Sequence, residues 1–301
     1  MSYESIRKTL MLDLPGSSTV KSSHWRFHTS SIKFSEGLKV SGIDGFSNRT
    51  ARFPGSKLLH LRNLKKIFPW AKKRFQSLEF IEAIRICHLQ SREVDTCVAR
   101  NFFTLDLIES FPQVPVDRVC VIGDGQANFV SLAIARKSFK KLVSINLPEV
   151  LLSDLELIEK LAGIDSYEIS VARTEFEVIQ FFQDSRKRLL LVSAQYSSLL
   201  SGSRIDLFVN IASFQEMTPK LIDEYFNVIR LKNAFLYSCN RVEKELYGGE
   251  VNRFFDYPWQ DSEVLLDEMC KWHEYSYSLK SFNLYKKFAF DGKIWHRLVK
   301  F

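Results

Sequence analysis

The segment Arg118–Gly163 reads RVCVIGDGQANFVSLAIARKSFKKLVSINLPEVLLSDLELIEKLAG, and its order of apolar runs, glycines and proline decides the fold. Val119 to Ile122 are continuously apolar, the pattern of a strand covered on both faces. Gly123-Asp124-Gly125 then supplies a turn in which the backbone can pass close under a ligand. Phe129 to Ala135 continue as a helix, and Leu142 to Ile145 form a second buried strand. Asn146 closes that strand where doubly wound folds set a polar side chain against ribose hydroxyls. Pro148 suits the first turn of the next helix and Gly163 its exit.

Working outward, Ile169 to Val171 read as a short strand-like turn and Glu175 to Phe182 as a helix. Leu189 to Ser193 is the third strand and Asp206 to Asn210 the fourth, with Ile211 to Glu216 as the loop at its carboxyl end. Thr218-Pro219 cap and start a helix that carries Leu221, Ile222, Tyr225, Phe226 and Ile229 inward. Ala234 to Ser238 is strand five, followed by a long loop over Val242 to Gln260, a helix over Ser262 to Trp272, and two last strands at Tyr275 to Leu279 and Ile294 to Phe301. Five parallel strands, a helix and a terminal strand pair predict a Rossmann-like α/β fold with a seven-stranded sheet.

Upstream, Met1 to about Ser56 read as irregular or short-stranded cover. Leu58 to Phe68, Phe80 to Leu89 and Val94 to Ile108 carry helical spacing, with Pro69 as a break. FPQVP at Phe111 to Pro115 suits a connector. The expected organisation is therefore a mostly helical cap over residues 1–112, roofing the substrate, and a Rossmann-like domain over residues 113–301.

With 301 residues and 46% hydrophobic content the chain can bury a full core. No apolar run approaches the ~20 residues of a membrane span, and the first residues lack the apolar stretch of a secretory signal. Cys87, Cys97, Cys120, Cys239 and Cys270 are odd in number and contain no CxxC pair, which argues against a zinc site and a disulfide framework and for the reducing cytoplasm. His24, His28, His60, His88, His273 and His296 show no metal spacing, so no metal is expected. The net charge is +7 (42 basic minus 35 acidic residues) and is unevenly spread. Between Asp44 and Glu79 there is no acidic residue, while Arg49, Arg52, Lys57, Arg62, Lys65, Lys66, Lys72, Lys73 and Arg74 interleave with Phe68, Trp70 and Phe75. Such a belt is either a solvated helical face or a surface for a polyanion.

Val121 to Asn128, then INLPEVLLSDLELI at Ile145 to Ile158, NIASFQEM at Asn210 to Met217, Tyr225-Phe226, Asn240-Arg241 and Tyr257-Pro258-Trp259 resemble, in order and spacing, the sugar O-methyltransferase family over roughly the C-terminal two thirds of the chain. That resemblance implies an S-adenosylmethionine-dependent methyltransferase of polysaccharide biosynthesis acting on a sugar hydroxyl of a surface glycan or of its nucleotide- or lipid-linked precursor. In the implied site Gly123, Asp124, Gly125, Gln126 and Asn128 surround the methionine part of the cofactor, Asn146 and Leu147 meet the ribose, and Gln195 lies near adenine. Three positions depart from the family pattern. Val121 replaces an acidic residue, Ala127 replaces the third glycine, and Asn146 replaces an acidic residue before Leu147. Together these changes weaken cofactor binding by an expected ~1–3 kcal/mol.

Methyl transfer to a hydroxyl requires in-line approach and removal of the hydroxyl proton. Glu216, at the carboxyl end of strand four, is the candidate base, with Asn210 positioning acceptor or cofactor. Arg241 is a candidate for an acceptor carboxylate or phosphate, and Tyr257 and Trp259 for stacking on a sugar ring, although core packing explains two aromatics equally well. The alternative is a diverged, non-catalytic Rossmann-like protein that binds RNA or an anionic surface through the basic belt at residues 49–75. Nucleic acid as a methyl acceptor is disfavoured, because the loop after strand four lacks an NPPY-like base-flipping motif. Self-association into a homo-oligomer is left open by the sequence.

Overall fold

Val119 to Ile122 pair in parallel with Leu142 to Ile145, residue for residue, as two apolar runs buried on both faces require. They form the middle of an eight-stranded sheet in the computed structural model, which describes residues 2–35, 39–42, 56–280 and 284–301. The strands are β1 (Arg118–Ile122), β2 (Lys141–Asn146), β3 (Ile169–Ala172), β4 (Leu189–Ser193), β5 (Leu207–Ile211), β6 (Phe235–Arg241), β7 (Glu263–Met269) and β8 (Ile294–Lys300). Their order is β3-β4-β2-β1-β5-β6-β8-β7. The first six are parallel, and β8 runs antiparallel between β6 and β7. From β1 the chain winds outward in both directions, so the order reverses between β1 and β5, where open α/β sheets bind ligands.

Alternation along β1 divides the core. Val119 and Val121 face the cluster that contains Phe129 and Leu155, whereas Cys120 and Ile122 face the one that contains Phe181, Ile222 and Phe226. The helices are α1 (Tyr3–Met11), α2 (Ser23–His28), α3 (Ser56–Ile67), α4 (Leu78–Leu89), α5 (Thr96–Glu109), α6 (Asn128–Arg136), α7 (Pro148–Ile158), α8 (Glu175–Gln183) and α9 (Pro219–Leu231). On the first face, Phe80 of α4 and Phe102 of α5 stack edge-on at 4.9 Å in the same cluster as Phe129 and Val121. Residues on both sides of position 112 thus share one hydrophobic cluster with the sheet.

Four sequence expectations are corrected. Ile169–Ala172 is a sixth parallel strand, because β4 exposes an edge that its alternating apolar residues can pair and cover. Ser262 to Trp272 is not helical: Glu263–Met269 pairs with β8, and Asp267 holds Arg297 across the pair at 2.9 Å. Tyr275–Lys280 pairs with Leu284–Ala289 in a hairpin outside the main sheet. Within the expected irregular cover, α1 and α2 form because Ser2 and Ser22 cap them, accepting from the amides of Ser5 (3.2 Å) and Trp25 (3.4 Å). Of the basic belt, Arg49 and Arg52 lie outside the described residues. Phe68 and Phe75 are buried in the core, and Arg74 pairs with Asp106 at 2.8 Å.

Phe102→Ala removes a fully buried ring over which the Arg136 guanidinium sits at 4.5 Å. The expected cost is about 3–5 kcal/mol, read as a shifted midpoint of one urea transition for the whole chain. Separate transitions for the helical and sheet regions would contradict the shared core.

Candidate functional site

A cavity of about 320 Å³ opens at the carboxyl ends of β1, β2 and β5, lined by the loop after β1, by Asn146, by Ile211 to Ser213 with Gln215 and Glu216, and by Arg241, Arg100, Cys97, His273 and Phe290. It lies where the strand order reverses, as expected from the sequence.

The loop after β1 is shaped from beneath. The Asp124 carboxylate accepts the free amides of Phe129 (3.1 Å) and Val130 (2.7 Å) at the start of α6. Burial pushes its carboxyl up to about 6, against the pull of those amides. Arg92, from the segment after α4, donates to the Gln126 carbonyl (3.1 Å) and to Asn128 Oδ1 (3.0 Å), while Asn128 Nδ2 donates to the Gly125 carbonyl (2.9 Å). These contacts hold Gln126 (φ 63°) and Ala127 (φ 46°) in the left-handed region, a strained conformation for residues with side chains. Gly123 (φ +73°) approaches the next loop so closely that a Cβ would stand 1.8 Å from Ser213 Oγ. Gln126 Nε2 is buried at the cavity wall with no hydrogen-bond partner among the described residues. Asn146 Oδ1 accepts from the Leu147 amide at 2.9 Å, which leaves its Nδ2 hydrogens for a ligand.

The loop after β5 is held by three asparagines. Asn210 Nδ2 donates to the Ile122 carbonyl at 3.1 Å, and its Oδ1 accepts from the Phe214 amide (3.1 Å) and Asn240 Nδ2 (2.8 Å). Asn240 Oδ1 accepts from the Gln215 amide at 3.3 Å, and Asn252 Nδ2 donates to the carbonyls of Gln215 (3.1 Å) and Met217 (2.7 Å). Asn210 is fully buried and does not line the cavity; its bonds shape the loop. Glu216 does line it, and burial pushes its carboxyl up to about 7, while Gln215, Lys244 and Arg241 pull it down. Its Oε2 lies 3.5 Å from His24 Nε2 of α2. Burial and the neighbouring His28 hold His24 down at about 4, so its imidazole is neutral at physiological pH.

Arg241 lines the cavity and pairs with Asp291 at 3.0 Å, a carboxylate 89% exposed. Leu147 lines a hollow of about 20 Å³ beside Asn146, walled by Val20, Trp25, Ala194, Met217, Leu221 and Tyr225. The chain preceding α2 covers this side. Asp13 accepts from Ser193 Oγ (2.6 Å) and pairs with Arg173 (2.8 Å), and its carbonyl takes Gln195 Nε2 at 2.8 Å. Gln195 is therefore bound to that cover and lines neither hollow. Tyr257 and Trp259 are corrected too: they pack with Phe214, Phe226 and Phe254 on the α9 face of the sheet, away from the cavity wall, because an apolar helix face needs covering there. Sequence reasoning missed Arg92 and Arg100, which no motif marks. It also missed the gathering of Cys239, Cys270 and His273, for which the spacing Cys270-x-x-His273 was a legible signal.

The sequence matches no protein-family model and no curated protein. In structure it is similar to the methyltransferase domain of bacterial CtHen1 (14% identity, 69% of this chain and 100% of that one, TM-score 0.41). It is similar also to a candidate RNA methyltransferase from Pyrococcus horikoshii (10% identity, 66% and 83%, TM-score 0.40) and to an S-adenosylmethionine-dependent methyltransferase from Leishmania major (10% identity, 80% and 81%, TM-score 0.40). Likenesses this distant carry neither an activity nor a substrate to this chain. Among the described residues no helix is long and apolar enough to cross a membrane.

Gly123→Ala combines a positive φ with a Cβ 1.8 Å from Ser213 Oγ. It is expected to cost at least about 2 kcal/mol in chemical denaturation. Adding Ser213→Gly should recover the steric part and leave about 1 kcal/mol of backbone strain. An unchanged midpoint for Gly123→Ala alone would show that the two loops do not meet.

Proposed function

We propose that this protein is an S-adenosylmethionine-dependent O-methyltransferase whose general base is Glu216. The observation that carries the reading is the convergence, at the reversal of strand order, of a pinned glycine loop and a buried carboxyl whose affinity for a proton is matched to neutral pH. Bound there, the cofactor would supply a sulfonium-activated methyl group. The site suits it in two respects. Gln126 Nε2 is a donor in the wall with no partner among the described residues, and Asn146 offers its amide to ribose hydroxyls. Against it stand the three departures from the family pattern at Val121, Ala127 and Asn146, and Asp124 cannot stand in for the acidic group that Val121 lacks, because it is already engaged at the start of α6.

Glu216 then takes the acceptor's proton. The neutral imidazole of His24 adds no charge that would pin the carboxylate in its ionised form, which keeps its basicity high. Arg241, loosely paired to exposed Asp291, can exchange that partner for a carboxylate or phosphate of the acceptor. Phe27 and Tyr247 stack at 4.3 Å, 56% and 61% exposed, beside His24. This pair takes the sugar-stacking role first assigned to Tyr257 and Trp259, since the C–H faces of a sugar suit exposed aromatic rings. The acceptor we favour is a glycan or glycan precursor with an anionic group near the methylated hydroxyl, handled in the cytoplasm.

A second reading has its own observation. Arg62, Lys65, Lys66 and Lys72 border an open hollow beside Pro69, a surface on which RNA or another polyanion can lie. Its binding would weaken steeply with salt, whereas cofactor binding would barely change.

Calorimetric titration with S-adenosylmethionine is expected to show micromolar binding, weakened roughly tenfold by Asn146→Ala. No binding up to millimolar cofactor would refute the reading. In turnover with a responsive acceptor, Glu216→Gln is expected to lower kcat by roughly 10²–10⁴. The wild-type rate should rise with pH through about 7 as Glu216 ionises among His24, Lys244 and Arg241. The linkage runs oppositely for folding. The folded value lies above the reference 4.5, so this group stabilises the fold at pH values below 4.5, and that contribution is lost as pH rises through about 7. Glu216→Gln should flatten that part of the stability profile, and a profile identical to wild type would show that the carboxyl is not perturbed.

A further inference from the structure

Cys239, near the end of β6, meets Cys270 and His273, which follow β7, behind the cavity wall. The three are buried, and one ligand atom from each lies within 4.8 Å of the others. His273 Nδ1 stands 3.1 Å from Cys270 Sγ and 3.6 Å from Cys239 Sγ. Around a tetrahedral zinc ion, sulfur and nitrogen ligands at ordinary bond lengths stand about 3.5 Å apart and two sulfurs about 3.8 Å. The two sulfur–nitrogen separations are thus within a few tenths of an ångström of that geometry, and the two sulfurs, within 4.8 Å of each other, need to draw together by at most about 1 Å to hold one. We propose that Cys239, Cys270 and His273 form a zinc site with three protein ligands, its fourth position open on the side of the cavity that His273 lines.

Two further features favour a metal over a set of thiol–imidazole hydrogen bonds. The first is the local chelate: the His273 amide donates to the Cys270 carbonyl at 3.0 Å, closing a turn that turns both side chains to one point. The second is Arg100. Its guanidinium is buried, donates to the carbonyls of Trp272 (3.1 Å) and Tyr275 (2.9 Å), and lies 4.4 Å over the Phe290 ring, with no carboxylate at ion-pair distance among the described residues. Asp95 acts on it only from beyond that distance, and burial still outweighs this attraction, so the cation is poorly compensated. Two thiolates on zinc would put electron-rich sulfur beside it, and any hydroxide or alkoxide in the fourth position would complete its neutralisation. The Arg100 bonds also brace the turn that carries two of the ligands, a role that groups outside the ligand shell serve in metal sites.

On binding, the zinc ion replaces two thiol protons, which pass to solvent, and the imidazole coordinates through Nδ1. The soft ligand pair selects zinc over magnesium or calcium. No fourth cysteine, histidine or carboxylate ligand atom joins the group among the described residues, so the remaining position takes water or an oxygen of a molecule in the cavity. A hydroxyl placed there becomes more acidic. Only this last consequence rests on the methyltransferase reading, since the metal site stands on its own residues.

The test uses the full chain purified without chelator. Elemental analysis is expected to find about one zinc per chain, falling roughly tenfold or more in Cys270→Ser and in His273→Ala, with Cys87→Ser, a buried thiol elsewhere, unchanged. In case those variants fold poorly, wild-type protein stripped by chelator is titrated with cobalt(II). Intense visible bands of tetrahedral cobalt together with sulfur-to-cobalt charge transfer, both abolished by zinc, would support the site. Absence of these bands, zinc content indifferent to the two substitutions, or a Cys239–Cys270 disulfide in non-reducing peptide mass spectra would overturn it.

Discussion

The side-chain amide of Asn210 joins the carboxyl ends of three adjacent strands. It donates to the last carbonyl of β1 and accepts from Asn240 of β6 and from the amide that opens the loop after its own strand. In parallel sheets the carbonyls and amides at strand ends lose their ladder partners just where a ligand must enter, and buried ones need substitutes. Asn210 supplies them with no charge to neutralise. The loop carrying Glu216 takes its shape from this bond, with Asn252 and Gln215 completing it. The close approach of Ser213 to Gly123 follows from the same geometry, so both walls of the cavity depend on one amide.

The charges around that cavity are arranged by cost. Asp124 can remain in a buried place because two helix amides offset its desolvation, although its carboxyl still rises to about 6. Glu216 has weaker compensation and rises further. His24, at its side, avoids the cost by staying neutral. Arg100 is buried with no carboxylate at ion-pair distance among the described residues, and Arg241 keeps one that solvent already screens. The result is a cavity with a raised carboxyl and two arginines in its wall, the arrangement on which the proposed anionic acceptor rests.

Much of the fold was legible because its signals are local. Continuous apolar runs marked β1, β2, β4 and β5; Thr218-Pro219 and Pro148 marked two helix starts; and the position of the ligand cavity followed from the sheet topology. Of the candidate residues, Gly123, Asp124, Gly125, Gln126, Asn128, Asn146, Glu216 and Arg241 do line one cavity. The failures share a cause. Over Ser262 to Trp272 the charges and apolar residues fit either period, and only the open edge of β8 decides for a strand at Glu263–Met269. Tyr257 and Trp259 read equally as sugar platform or core until α9 is seen to need cover.

By itself, then, the sequence determined the class of fold, the reversal point of the sheet and the glycine loop, since each is written in contiguous residues whose backbone preferences act over a few positions. Which side chains meet across long separations was decided only by the tertiary structure. Asp13 on Gln195, His24 on Glu216, and Cys239 beside Cys270 and His273 are distant along the chain, and their meetings are set by sheet order and by which surfaces had to be buried. No local pattern encodes such contacts, because packing selects the partner after the backbone has chosen its course.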